Sequence, residues 1–197
     1  MTSKIQAVKK LIDSISPLSE TSFKSLSELL AFESYPKGTV FIERGKRNTC
    51  EYFVLSGICK SFLISPEGDE ITLSFFVDQS ILSPHTTRIN QQFSLLNFKA
   101  LNTIELASVN ASRFEQLMVD NLEIRNWANQ VLRNELIQMV NKEIGLAALT
   151  AKERLIEFRK QFPNLENLIP HPDIASYLGI TNISLSRLRK ELMLSGE

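Results

Sequence analysis

Ile174 to Leu192 reads IASYLGITNISLSRLRKEL. A short apolar-patterned run, one glycine and a second run rich in Ser, Asn and Arg predict two helices joined by a tight bend. The first helix spans Asp173 to Leu178, with Ile174, Ala175 and Leu178 facing inward. Ala175 is small, which lets a crossing helix approach closely. Gly179 stands where that helix must end, in a left-handed conformation that costs glycine little. Thr181 or Asn182 caps the second helix, which runs to about Met193. Leu185, Leu188 and Leu192 recur at spacings of three and four and face the core.

That leaves Asn182, Ile183, Ser186, Arg187, Arg189 and Lys190 on the outer surface, with Thr181 and Ser184 at the helix start. This is the layout of a helix-turn-helix, whose second helix enters the major groove of DNA N-terminus first. Serine hydroxyls and helix-start amides suit phosphate oxygens. Arginine suits guanine, whose N7 and O6 accept a bidentate fork. A terminal helical hairpin that only covers the domain has the same pattern without the polar, cationic face.

Upstream, the chain from Ala111 is helical almost throughout. SRFEQLM begins a short helix at Ser112. Asn121 to about Ala148 reads as one long helix without proline. Ile124, Val131, Leu132, Leu136, Met139 and Val140 form one stripe, and Trp127, Ile137 and Ile144 widen it. A helix apolar on more than one face has more than one partner. One partner is the domain before it; the other is the same helix of a second subunit, although Asn134 and Gln138 break any strict heptad. Thr150 to Phe162 is a further amphipathic helix.

Residues 4–32 also read as helical, stopped once by Pro17. At Tyr35 the period changes. PKGTVFIERG and EYFVLSGICKSFLISPEGDEITLSFFV read as short strands divided by glycine turns, with no helix between them. Residues 80–94 read as irregular, and LLNFKALNTIELASVN supplies two more strands. Such a run predicts an antiparallel sandwich or barrel.

Composition narrows the function. Apolar residues make up 43% of the 197 and charged residues 22%, so a packed core is expected. Formal net charge is zero, so any contact with nucleic acid is local. Residues 149–197 hold seven Lys and Arg against six Asp and Glu, a net of +1. Cys50 and Cys59 have no zinc spacing and are expected to be reduced thiols. The start MTSKIQAVKK is not that of a signal peptide, and no apolar run approaches the roughly 20 residues of a spanning helix. A soluble, cytoplasmic protein with no membrane contact is expected. The sequence contains no phosphate loop, no G-x-S-x-G and no metal pair, so it does not read as an enzyme.

The order of parts resembles the Crp/Fnr family of bacterial transcription regulators over nearly the full length. PKGTVFIERG and EYFVLSGICKSFLISPEGDE resemble its β-roll, with glycines at the turns Gly38, Gly45, Gly57 and Gly68. HPDIASYLGITNISLSRLRKEL resembles its helix-turn-helix. The fold implied is α+β: an antiparallel, cyclic-nucleotide-binding-like β-roll over 1–119, a long dimerisation helix over 120–147, and a winged-helix-like helix-turn-helix over 148–197. The partners implied are double-stranded DNA, a second copy of the chain and RNA polymerase. An alternative is a sensor or adaptor module whose last helices bind a protein.

Two departures from the family matter. Members that bind cyclic nucleotides carry a Gly-Glu pair followed by an Arg-Ser/Thr-Ala run. Here Asp78-Gln79-Ser80 stands in place of the pair, and Arg88 is followed by Ile89 and Asn90. A cyclic phosphate needs close backbone approach, a charge partner and a ribose acceptor. Cyclic AMP binding is therefore not expected, and an effector is either a different small molecule or absent. The candidate effector residues are Phe76, His85, Arg88 and Trp127. The second departure is Asn182-Ile183 where well-known members present Arg-Glu, which implies a different half-site. No cofactor is expected: the N-terminal cysteine cluster of the iron–sulfur branch is missing, and His85 and His171 are weak haem ligands.

Overall fold

The computed structural model describes residues 2–82 and 93–195. The elements in order are α1 (Thr2–Asp13), α2 (Glu20–Ser27), β1 (Leu30–Tyr35), β2 (Val40–Ile42), β3 (Cys50–Ser56), β4 (Cys59–Ile64), β5 (Glu70–Phe76), β6 (Ser80–Leu82), β7 (Asn97–Ala100) and β8 (Ile104–Asn110). Helices follow: α3 (Ala111–Asp120), α4 (Leu122–Ala148), α5 (Ala151–Gln161), a 3₁₀ turn (Leu165–Asn167), α6 (His171–Tyr177) and α7 (Asn182–Ser195). Among the described residues after Ala148, only helices occur.

The strands form two four-stranded sheets, in the orders β1-β8-β3-β6 and β2-β7-β4-β5. The chain divides into two compact units. One holds residues 1–61 and 75–137; the other holds residues 62–74 and 138–197. The β4–β5 hairpin tip thus groups with the C-terminal helices rather than with the rest of the roll.

In the first unit the pleat of β3 sorts its side chains between two cores. Phe53 faces the helices and joins Val8, Leu11, Leu26, Ile124, Trp127 and Val131. Tyr52 and Val54 face the roll interior with Leu82, Phe98, Ile104 and Leu106. Alternation along a strand is what allows one segment to serve both.

The N-terminal region departs from the sequence reading. Residues 30–32 are not helical: β1 begins at Leu30 and pairs antiparallel with β8, Leu30 opposite Val109. The spacing Leu26–Leu30 fits a helix face, but Leu30 and Phe32 also share a strand face, and both reach the first core. Pairing with β8 decided between the two periods. Residues 80–82 likewise form a strand, with Tyr52 opposite Leu82.

Helix α4 changes character along its length. Ile124, Trp127, Ala128 and Val131 are buried. Further on, Leu136, Ile137, Met139, Val140, Ile144 and Leu146 are all exposed.

Candidate nucleic-acid interface

In the second unit, α6 and α7 form the bihelical motif. The Ile180 N–H donates to the Ala175 carbonyl at 3.0 Å and the Gly179 N–H to Ser176 at 3.1 Å. This pair of bonds is a Schellman ending, with Gly179 at φ 66° as the left-handed residue. Thr181, not Asn182, caps α7: its Oγ accepts the Ser184 N–H at 3.1 Å. The Ser184 hydroxyl lies 3.0 Å from the same oxygen, so both side chains serve the cap.

Leu185 and Leu192 of α7 are buried with Ile174, Ala175 and Leu178 of α6 and Leu155 and Phe158 of α5. Arg154 ties the motif to the end of α4. Its Nε donates to the Leu178 carbonyl at 2.9 Å and its Nη1 to the Leu149 carbonyl at 2.7 Å. These are orphan carbonyls at helix C-termini, where a cation is favoured.

The outward face of α7 carries Asn182, Ile183, Ser186, Arg187 and Lys190, all exposed, and Thr181 is exposed just before it. Ile183 keeps 66% of its surface exposed, which is unusual for a side chain that would be buried if space allowed. Arg189 differs from the others. Its Nε lies 2.6 Å from Glu166 Oε1, and its Nη1 lies 2.8 Å from His171 Nε2. The sequence reading places Arg189 on the outer face because it is not part of the Leu185, Leu188, Leu192 stripe, yet two residues of helix turn it about 200° from Arg187. Glu166 and His171, far upstream in the chain, carry no periodic signal that would have paired them with it.

The candidate effector residues do not converge. His85 and Arg88 lie outside the described residues. Phe76 belongs to the roll interior, 5.9 Å from the Phe98 ring. Trp127 belongs to the other core: its Nε1 donates to the Ile12 carbonyl at 3.2 Å and its ring lies 6.2 Å from Phe53. Among the described residues the roll interior is filled by aromatic contacts, with Phe41 stacked 5.1 Å from Tyr35 and 6.4 Å from Phe98. Burial pushes up the Tyr52 hydroxyl and the Cys59 thiol there. A cavity of about 490 Å³ opens elsewhere, between Pro17 and the start of α4, lined in part by Asn126, Trp127 and Arg133.

At the place of the family's Gly-Glu pair, Asp78 has a structural task. Its Oδ1 accepts the Gly57 N–H at 2.6 Å. Gln79 adopts φ 61° without being glycine. Among the described residues no group of three His, Cys, Asp or Glu could hold a metal ion.

Residues 32–121 match the cyclic nucleotide-binding domain family. Three solved structures are similar over most of their length. FixK2 from Bradyrhizobium japonicum matches with a TM-score of 0.74 at 19% identity, covering 85% of this chain and 86% of its own. The c-di-GMP responsive global regulator CLP of Xanthomonas campestris matches with 0.71 at 17% identity, covering 90% and 93%. A Crp/Fnr-family transcriptional regulator of Eubacterium rectale matches with 0.70 at 22% identity, covering 91% and 85%. The chain has the fold of the Crp/Fnr regulators. No curated protein matches it.

On the Crp/Fnr fold the β4–β5 hairpin has contacts that sequence reading missed. The Ser176 hydroxyl of α6 accepts the Thr72 N–H at 2.9 Å and donates to the Glu70 carbonyl at 3.2 Å. Lys142 of α4 donates to the Leu73 carbonyl, and its Nζ lies 4.0 Å from the Tyr177 ring centre. Burial holds the Lys142 ammonium down at about 8 against its usual 10.5. The folded chain therefore binds fewer protons here than the unfolded one, and stability rises with pH between those values. Lys142→Met is expected to flatten that rise. Urea midpoints across the window, wild type against variant, measure it; parallel curves would contradict the burial of the ammonium.

Proposed function

We propose that the chain is a homodimeric, sequence-specific DNA-binding transcription regulator of the Crp/Fnr type that does not respond to cyclic AMP. The observation that carries this reading is the solvent-facing side of α7, where Asn182, Ile183, Ser186, Arg187 and Lys190 stand clear of a core that uses the opposite side. Asparagine can read adenine, isoleucine the thymine methyl and arginine guanine. Thr181 and Ser184 hold the helix start that would approach a phosphate. The exposed apolar run on α4 supports pairing with a second copy, which doubles a weak local charge. Residues 1–119, 120–147 and 148–197 then serve as sensor, dimerisation helix and reader.

The replacement of Gly-Glu by Asp78-Gln79, with the Asp78 carboxylate already bonded to Gly57, supports the exclusion of cyclic AMP. Regulator neighbours of the same fold support a non-enzymatic role. No helix among the described residues is long and apolar enough to cross a membrane, in keeping with a cytoplasmic regulator. RNA polymerase is the partner such a regulator would meet.

The test is selection of duplexes from a random pool, followed by binding at two salt concentrations. Affinity should fall steeply with salt as counterions are released. Arg187→Ala should cost about 1–3 kcal/mol on the selected site and relax discrimination at one base step. Salt-independent binding, or none, would remove the DNA reading.

A further inference from the structure

We infer that Glu166 is a positioning residue that withholds Arg189 from DNA, so that the cationic reading of the duplex falls to Arg187 and Lys190; this rests on the DNA reading above. Four side chains carry the inference. Glu166, in the 3₁₀ turn before α6, is 8% exposed. Arg159 of α5 approaches one carboxylate oxygen, Nε to Oε2 at 2.7 Å, and Arg189 the other, Nε to Oε1 at 2.6 Å. A second Arg159 nitrogen, Nη2, lies 3.4 Å from Oε1. His171 sits against the Arg189 Nη1, at 2.8 and 3.2 Å from its two ring nitrogens.

A buried carboxylate is tolerated only when it is paired and hydrogen-bonded, and here two guanidinium groups supply both. Arg189 is needed for that balance. Releasing it toward a phosphate would leave Glu166 with one partner in a poorly hydrated place. Arg187, two residues earlier, is exposed and has no such tie to the turn. The two arginines of one helix are thus divided between anchoring and reading. Glu166, which lies off the helix, sets the division. It also fixes the roll of α7 about its own axis, because the Arg189 stem must point at the turn.

The probe is a mixed-sequence duplex, with the full-length protein titrated at several salt concentrations. The slope of log affinity against log salt counts phosphates neutralised, at roughly 0.9 per contact. Arg189→Gln should leave the slope unchanged. Glu166→Gln should steepen it by about one contact per protomer as Arg189 is released. The double variant should return to the wild-type slope, which a purely structural role of Glu166 would not produce. A flatter slope in Arg189→Gln alone would overturn the inference. That variant keeps the test decisive should Glu166→Gln not fold. An unchanged slope in a folded Glu166→Gln would overturn it too. A wild type that shows no salt-dependent binding removes the DNA reading itself, and is told apart from the other failures by the lack of any slope to change.

Discussion

Alanine at Gly57 is expected to lower the unfolding free energy by roughly 3–5 kcal/mol, from backbone strain added to overpacking. Gly57 ends β3 at φ 96°, a region that side chains rarely adopt. A Cβ there would lie 2.4 Å from the Thr103 carbonyl oxygen and 2.7 Å from the Ile104 Cα. Both are backbone atoms, at the start of the paired strand β8 and just before it, so neither can swing aside. The bend also carries two outward bonds, Gly57 N–H to Asp78 and Ile58 N–H to the Asn102 side chain at 2.7 Å. Moving the bend breaks both. Trp127, the one tryptophan and a member of the first core, reports urea unfolding of this unit. A loss below about 1 kcal/mol would mean that the turn accommodates a side chain, against the close approach described.

Glutamate at both Ile137 and Ile144 is expected to turn the protein into a monomer and to weaken duplex binding on the order of 100-fold or more, through lost avidity. These side chains are 59% and 55% exposed, and Val140 between them is 43% exposed. The spacing of three and four puts them on one stripe of α4. Two charges would meet their own copies across a symmetric seam, because a two-fold interface presents each residue to the same patch. Sedimentation equilibrium reads the assembly and anisotropy reads the binding. A variant that remains dimeric would place the subunit contact elsewhere. A monomer that keeps full affinity would show that one reading helix is enough.

The sequence made some features legible and hid others for physical reasons. Gly179, Leu185 and Leu192 announced α6 and α7 because a bend and a periodic core stripe are local signals. The strands between Val40 and Phe76 were equally visible from their glycine turns. Leu30 and Phe32 were misassigned because two periods overlap on so short a run, and only pairing with β8 separates them. The cap on α7 was narrowed to two residues, and hydrogen bonding chose Thr181. Arg189 shows a deeper limit. Its spacing from Arg187 does not reveal that a carboxylate outside the helix claims it, since Glu166 reaches it through tertiary folding alone. Phe76 and Trp127 are both candidate effector residues by sequence, yet they enter different cores.

Among the described residues strand β5 ends its sheet, and the rim of an end strand is where a foreign chain can add on and template further growth. Here the Ser176 hydroxyl already occupies the backbone groups of Glu70 and Thr72 that such an intruder would seek. Helix α6, through Ser176, therefore acts as a guard against fibrous self-association. A chain cut short before α6 is expected to gain a sticky margin there.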